Sequence, residues 1–170
     1  MLQLTTNLQD IKNNALNKEA ENDAFRLFLK TQNPLAIDAI VHQLNATITP
    51  QINCMECGNC CKSLMINVTP IEAEKVANTM QISVENFKEK YIEESQGGAL
   101  IIHQVPCSFL HNNACTIYDD RFTECREFPH LHKPNFINRL FGTFYNYGIC
   151  PIVFNVIEAL KSKLNFNAVS

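Results

Sequence analysis

Four cysteines lie within eight residues of this chain at the spacing C-x-x-C-x-x-C-C; they are Cys54, Cys57, Cys60 and Cys61. Gaps of two residues let a chain turn tightly enough for neighbouring thiolates to reach one ion or cluster. Gly58 and Asn59 tolerate the positive φ of such a turn, which directs backbone N–H groups at sulfur. Four more cysteines follow downstream, namely Cys107, Cys115, Cys125 and Cys150. We predict a metal site that uses all eight cysteines.

Two other uses of eight cysteines are a set of disulfides and a catalytic thiol pair without metal. The first seven residues show no basic segment, apolar segment or cleavage site of a signal peptide, so we expect a cytoplasmic protein. In a reducing compartment, closely spaced cysteines are more often metal ligands or redox catalysts than disulfides. A bridge between adjacent Cys60 and Cys61 would also be strained. The compartment and the spacing together favour metal.

Composition and charge narrow the class of protein. A chain of 170 residues is about one domain long and buries roughly 70% of its unfolded surface, so a metal would organise a region rather than supply the core. The net charge of −3 offers no basic surface for nucleic acid, and no apolar run approaches the roughly 20 residues of a membrane span. We therefore expect metal ions as partners, and neither nucleic acid nor membrane. Lys62, Arg121 and Arg126 are candidates to offset thiolate charge.

Two predicted helices precede the cysteine run. Apolar residues at helical spacing begin after Glu19, and the pattern breaks at Asn33-Pro34, where asparagine caps and proline opens a second helix. This helical hairpin ends near Pro50, and residues 1–18 are predicted to be a weak helix or a frayed end. The expected division of the chain is a helical extension over 1–49, a cysteine-cluster domain over 50–152 and a helix over 153–170.

The elements after the run are short. Alternating apolar residues over 64–68 predict a strand, and Thr69-Pro70-Ile71-Glu72 combines an N-cap, a first-turn proline and a capping-box glutamate. A helix of about ten residues follows, and another begins at Ser83 and is predicted to stop at Gly97-Gly98. Residues 99–105 resemble a strand.

The region 107–150 shows little periodicity and is predicted to be loops, with the order of 105–150 supplied by metal ligation. A last helix is predicted over 151–164, with one set of apolar residues facing inward: Ile152, Val153, Val156, Ile157 and Leu160. The predicted fold class is α+β, mostly α, with a loop-rich metal-centred domain between an N-terminal helical hairpin and a C-terminal helix.

The downstream cysteines stand in a second set of short motifs: Pro106-Cys107-Ser108-Phe109-Leu110, Cys115-Thr116-Ile117-Tyr118, Arg121, Cys125-Arg126-Glu127-Phe128-Pro129 and Cys150-Pro151. With the first run, they resemble the YkgJ-type cysteine-cluster family of zinc- or iron-chelating domains over roughly residues 50–152. One departure is Phe122, where the family usually has proline after arginine.

That family is similar to the cysteine-rich part of bacterial flagellin lysine N-methylases, which are associated with an iron–sulfur cluster. The resemblance implies a chelating and redox-active module. It does not carry methylation over, because the chain has no Gly-rich turn between a strand and a helix that would bind a nucleotide-like methyl donor.

The identity of the metal stays open on spacing alone. Cys54, Cys57 and Cys60 with one remote cysteine fit a [4Fe–4S] cluster and leave Cys61 over. Two Cys₄ zinc sites would use all eight cysteines, with Cys60 and Cys61 diverging into different sites. The resemblance favours iron–sulfur. The two functional hypotheses are a redox or electron-transfer component, or subunit of a cluster-dependent enzyme, and a zinc-binding structural or chelating module without catalysis. An enzyme with a nucleophilic cysteine ranks third, because no histidine stands beside a cysteine in a motif of that kind.

Other polar and aromatic residues near the cysteines carry weaker predictions. The histidines at 103, 111, 130 and 132 are expected in loops or at the surface rather than on metal, and His42 is expected to be structural. Four carboxylates beside turns are expected to be solvated: Glu56, Asp119, Asp120 and Glu124. Seven aromatic side chains are predicted to wall the site from water: Tyr118, Phe128, Phe136, Phe141, Phe144, Tyr145 and Tyr147. The sequence identifies no catalytic residue.

Overall fold

The structure is a computed structural model that describes residues 4–102 and 104–167. It contains two compact units. The helical unit comprises the chain up to Ile52 and from Pro129 onward, and the cysteine unit comprises Asn53–Phe128. The prediction for His103 lies outside the described residues. The predicted division at 49 and 152 stays a prediction.

Ten α-helices occur within 4–102 and 104–167: α1 Leu8–Asn17, α2 Glu19–Lys30, α3 Pro34–Ile48, α4 Cys54–Cys57, α5 Asn59–Ser63, α6 Pro70–Thr79, α7 Val84–Tyr91, α8 Thr123–Glu127, α9 Leu140–Tyr147 and α10 Pro151–Lys163. Three short 3₁₀ helices cover Thr49–Gln51, Tyr118–Asp120 and Phe136–Arg139. The prediction of an α+β, mostly α fold is confirmed. None of the described helices is long and apolar enough to cross a membrane.

In the described part of the cysteine unit, five short strands form two antiparallel sheets: β1 Asn67–Val68, β2 Ile92–Glu94, β3 Leu100–Ile102, β4 Leu110–His111 and β5 Ala114–Cys115. The first sheet has the order β1-β3-β2, with Asn67 opposite Ile101 and Ile92 opposite Ile102. The second is the hairpin β4–β5, in which Leu110 lies opposite Cys115.

The core of the helical unit forms around α10, which packs against α3 and α9. The apolar face predicted for this helix is confirmed, since its five residues are all buried: Ile152, Val153, Val156, Ile157 and Leu160. Both helices of the predicted hairpin are present as α2 and α3. The Asn33 side chain accepts hydrogen bonds from the backbone of Leu35 and Ala36, as an N-cap before Pro34 should.

A buried ion-pair network joins α10 to α2. The Lys161 side chain is 6% exposed, and its Nζ donates to Glu21 Oε1 at 2.7 Å, Asn22 Oδ1 at 2.6 Å and Glu158 Oε1 at 2.9 Å. The Tyr147 hydroxyl donates to the same Glu158 oxygen at 2.9 Å. Since each donor of the ammonium has an acceptor, the charge is compensated where water is excluded.

Residues 130–139 are held by side chains of the helical unit. Asp38 accepts hydrogen bonds from the backbone N–H groups of Asn135 and Phe136 at 2.7 and 2.8 Å, which caps the 3₁₀ helix. Arg139 donates to the carbonyl oxygens of His130 and Lys133 at 2.8 and 2.6 Å. The prediction of loops throughout 107–150 is wrong for the hairpin β4–β5, for α8 and for α9. The buried side chains of α9 pack against α10.

The predicted start of α6 is confirmed, including the capping box between Thr69 and Glu72. Ser83 caps α7 as predicted. However, α7 ends at Tyr91 and not at Gly97-Gly98, because the chain turns into β2 at Ile92 and pairs with β3. The two glycines lie between these strands, and Gly98 has a φ of 78°.

Candidate metal centre

The cysteine run forms two one-turn helices, α4 and α5, around Gly58. Asn53 caps α4, and Gly58 has a φ of 56°, in the left-handed region that only glycine adopts readily. A Cβ at Gly58 would lie 2.7 Å from the carbonyl oxygen of Asn113, so the two backbones touch here. Glycine is required at this position for its conformation and for its lack of a side chain.

That contact brings the run against the hairpin β4–β5. The hairpin turn is Asn112-Asn113, with φ of 48° and 65°, and asparagine tolerates such angles better than most residues. As a result, α4 lies beside β5, the strand that ends in Cys115.

A backbone hydrogen bond brings the third segment to the run. The N–H of Cys107 donates to the carbonyl oxygen of Cys61 at 2.7 Å. The backbone of Phe109 forms a hydrogen bond to the Cys107 side chain, and the backbone of Ile117 forms one to Cys115. Backbone donors therefore point at sulfur within the run at Cys61, through its own N–H, and also at two downstream cysteines.

The fourth segment is α8, which carries Cys125. Its first backbone N–H, on Thr123, donates to Glu72 Oε1 of α6 at 2.6 Å. Just before α8, Asp120 pairs with Lys75 at 2.9 Å and accepts from the Thr79 hydroxyl at 2.9 Å. Two turns of α6 thus fix the approach to Cys125.

An aromatic core supports the downstream cysteines. Phe87, Phe109 and Phe122 are buried, and Cys107, Cys115 and Cys125 pack against the cluster that contains them. The prediction of an aromatic wall is wrong for Tyr118, Phe141 and Tyr145, whose side chains are exposed. Phe109 stands in the motif around Cys107, whereas Phe87 lies far from any cysteine in sequence and had no local signal that linked it to the site.

The thiols affect one another's ionisation. A hydrogen bond with Cys60, together with burial, raises the pKa of Cys61 well above its usual range. Burial, together with the neighbouring thiols of Cys61, Cys107 and Cys115, raises the pKa of Cys125 to about 12. Burial and neighbouring thiols also raise the pKa values of Cys107 and Cys115. These groups are neutral thiols near pH 7, so metal binding must displace protons from them.

Two of the three predicted cations act on the cysteines. Arg121 favours the thiolate form of Cys54, Cys115 and Cys125, while Lys62 does so for Cys61. The Arg121 guanidinium lies 3.8 Å from the centroid of the Tyr118 ring, which holds it in place. Arg126 instead donates to the Thr123 hydroxyl at 2.8 Å and to the Arg121 carbonyl.

The donor chemistry of this unit fits a soft metal. Seven of the eight predicted ligands belong to it and are present as thiols, which suit zinc, iron and iron–sulfur clusters. Among the described residues, no three histidine, cysteine or acidic side chains stand in an arrangement that could hold a metal ion. The backbone brings the cysteine segments together, and the side chains are not arranged as a coordination shell.

Cys150 lies in the helical unit, where it is buried at the start of α10. The histidine predictions concern side chains of both units. His42 lies 3.3 Å from the Lys133 carbonyl oxygen, and His111 is exposed beside Asn112. The sequence did not assign two supporting residues to the site. Glu72 accepts a hydrogen bond from the backbone of Thr123, and the backbone of Asn113 touches Gly58. The motif at 69–72 signalled only the helix cap.

The comparisons with known proteins agree with this chemistry. Neither a curated protein nor a solved structure matches the chain. A family model matches residues 53–143, just over half of the chain, and spans seven of its cysteines. The chain belongs to this family, CxxCxxCC, which is described as a putative zinc- or iron-chelating domain.

Proposed function

We propose that the cysteine unit holds an iron–sulfur cluster, with [4Fe–4S] favoured, and serves in redox or electron transfer. The observation that carries the proposal is that Cys61 lies close enough to one cysteine from each of three downstream segments to affect its ionisation electrostatically. These cysteines are Cys107, Cys115 and Cys125. Cys54 interacts with both Cys57 and Cys61, which extends this set through the run.

The kind and placement of these thiols support a cluster. Sulfur is the donor that iron–sulfur clusters use, and a [4Fe–4S] cluster can take three cysteines from a local run and one from a remote segment. The side chains of Cys60 and Cys61 also form a hydrogen bond with each other instead of diverging. This removes the geometric reason for assigning them to separate zinc sites. Arg121 and the backbone bonds at Cys107 and Cys115 would then tune the potential, because hydrogen bonds and charge near sulfur set it.

A zinc-binding structural or chelating module is the alternative, because thiolates suit zinc equally well. Anaerobic purification of the full chain from cells supplied with both metals separates the two. The proposal predicts a brown protein with about four irons and four sulfides per chain, whose colour bleaches on reduction. A colourless protein with about one or two zinc ions per chain would establish the alternative.

The predicted ligand role of Cys150 has a separate test. If Cys150 is a ligand, Cys150→Ser should lower metal per chain as much as Cys107→Ser does, since serine is a poor ligand for these metals. If metal content matches that of wild type, the ligand set is confined to residues 54–125. Circular dichroism of both variants controls for loss of fold.

A further inference from the structure

Glu72 makes contacts that its capping box does not require. One carboxylate oxygen, Oε2, accepts from the backbone N–H and the hydroxyl of Thr69 at 2.9 and 2.8 Å, which completes the cap of α6. The other oxygen, Oε1, accepts from the backbone N–H of Thr123 at 2.6 Å. One side chain therefore serves the first turns of two different helices.

The bond to Thr123 compensates for a missing cap on α8. The residue at the N-cap position is Phe122, whose side chain cannot accept a hydrogen bond and is buried in the aromatic core. The first N–H groups of a helix have no partner within it. Glu72 supplies one from another helix, and its negative charge is also favourable at a helix start.

A second contact lies on the same face of α6. Lys75 and Thr79 follow Glu72 at helical spacing and bind Asp120, three residues before Thr123. Both contacts, at Asp120 and at Thr123, involve protein groups alone. Cys125 follows Thr123 by two positions. The approach to Cys125 is thus held in place by contacts that need no metal.

We propose that Glu72 is a positioning residue of the metal centre, which holds the segment that carries Cys125 in place before metal binds. This inference rests on the proposed metal-binding role and extends it to a residue that ligates nothing. It predicts that loss of the Glu72–Thr123 bond loosens Cys125 in the metal-free chain and shortens the lifetime of bound metal.

Two pairs of variants of the full chain isolate this bond. Glu72→Gln weakens both helix starts, whereas Thr69→Ala removes the two hydrogen bonds of the Thr69 hydroxyl and keeps the carboxylate. Thr123→Pro leaves the cap of α6 unchanged and removes the backbone donor of α8 together with the Thr123 hydroxyl, which also hydrogen-bonds Glu72. Proline is accepted at the first position of a helix, and Phe122 already has the extended conformation that precedes proline, with ψ of 153°. Its control, Thr123→Ala, keeps the backbone donor and removes the same side-chain hydroxyl.

The readouts are amide hydrogen exchange over residues 124–127 in the metal-free chain, since proline has no amide hydrogen at 123, and the rate of metal transfer to a chelator from the loaded chain. Glu72→Gln and Thr123→Pro should each accelerate both about tenfold relative to their controls, the size expected for one charged hydrogen bond. Equal exchange and equal transfer in variant and control would overturn the proposal. Should Glu72→Gln fail to fold, the Thr123 pair decides alone.

The two proposals fail in different ways. If the wild-type chain binds neither iron nor zinc, the proposed function is wrong, and exchange in the metal-free chain still decides whether Glu72 positions the segment. If wild type binds metal and Thr123→Pro releases it no faster than Thr123→Ala, metal binding stands and the role of Glu72 is refuted.

Discussion

The two units of this chain are stabilised in different ways. The helical unit buries long helices and closes a charged network around Lys161, so its order comes from packing and paired charges. The cysteine unit has helices α4, α5 and α8 of four or five residues and strands of two or three. Such elements are not stable on their own and depend on tertiary contacts. The comparison indicates that metal should matter where the regular structure is shortest.

Metal removal should give the largest contrast between the units. A ligand that binds only the folded state stabilises it by several kcal/mol, so chelation should accelerate amide exchange in α4, α5 and the β4–β5 hairpin by a hundredfold or more. The amides of α3 and α10 should keep their protection from exchange. The Thr123 amide should keep part of its protection, because its hydrogen bond to Glu72 does not involve metal. Mass spectrometry of exchanged peptides measures this. Equal acceleration in α10 would contradict the distinction between the units.

Substitution of Lys161 should destabilise the helical unit and leave metal binding by the cysteine unit unchanged. Lys161→Met leaves two carboxylates and Asn22 without their shared donor, and loss of one partner from a buried ion pair costs about 3 kcal/mol. Unfolding of the helical unit in urea should show this loss, while the metal content of the folded protein stays at the wild-type value. Lys163→Met, at an exposed position of the same helix, is the matched control. A fall in metal content with unchanged stability would contradict the prediction.

Two glycines sharpen the comparison. Gly58→Ala forces a left-handed alanine against the Asn113 carbonyl and should destabilise the cysteine unit by about 2 kcal/mol. At Gly142, in α9, a new Cβ would meet no atom within 4 Å apart from its chain neighbours and the backbone of its own helix, so Gly142→Ala should stabilise the helical unit by about 0.5–1 kcal/mol. Denaturant unfolding measures both changes in the free energy of unfolding. Changes of opposite sign would confirm that Gly58 is required for its conformation and Gly142 is not, and changes of the same sign would refute this.

The smallest predicted effect is the pH dependence contributed by Glu72. Partial burial acts against the charged form, but hydrogen bonds from Thr123 and Thr69 lower its pKa to about 2 from an ordinary value of 4.5. Because the folded pKa is the lower one, the stabilisation is complete above about pH 4.5 and is lost as the pH falls to about 2. The stability difference between wild type and Glu72→Gln in the metal-free chain should shrink over this window. Lys75 and Asp120 are unchanged in this comparison, so their own titration largely cancels. A difference that stays constant from pH 6 to pH 2 would exclude the carboxylate as its source.

Local signals predicted the elements that local chemistry determines. The motif at 69–72 predicted the cap of α6, and Asn33-Pro34 predicted the start of α3, because both concern backbone groups within one turn. The prediction that α7 ends at Gly97-Gly98 was wrong, since Ile92 pairs with Ile102 in the sheet and ends that helix first. The hairpin at Asn112-Asn113 carried a readable turn signal that the low periodicity of its surroundings obscured.

The sequence offered candidate ligands but not the contacts that support them. Spacing singled out the cysteines as candidates, because metal chemistry constrains residue type and distance along the chain. The contacts of Gly58 with Asn113 and of Glu72 with Thr123 join segments more than 50 residues apart. Each depends on how the chain folds back on itself, which no local pattern encodes.

The most direct test of the central claim is metal per chain, measured by mass spectrometry of the elements on anaerobically purified wild type and Cys57→Ser. Cys57 lies in the middle of the run, and serine is a poor ligand for zinc or iron, so the variant should lose most of its metal. The control, Ser63→Ala, changes an oxygen next to the run and should retain the metal in full. Wild type should carry iron and sulfide in equal amounts, with both reduced severalfold by Cys57→Ser. Full metal content in Cys57→Ser, or none in wild type, would contradict the account.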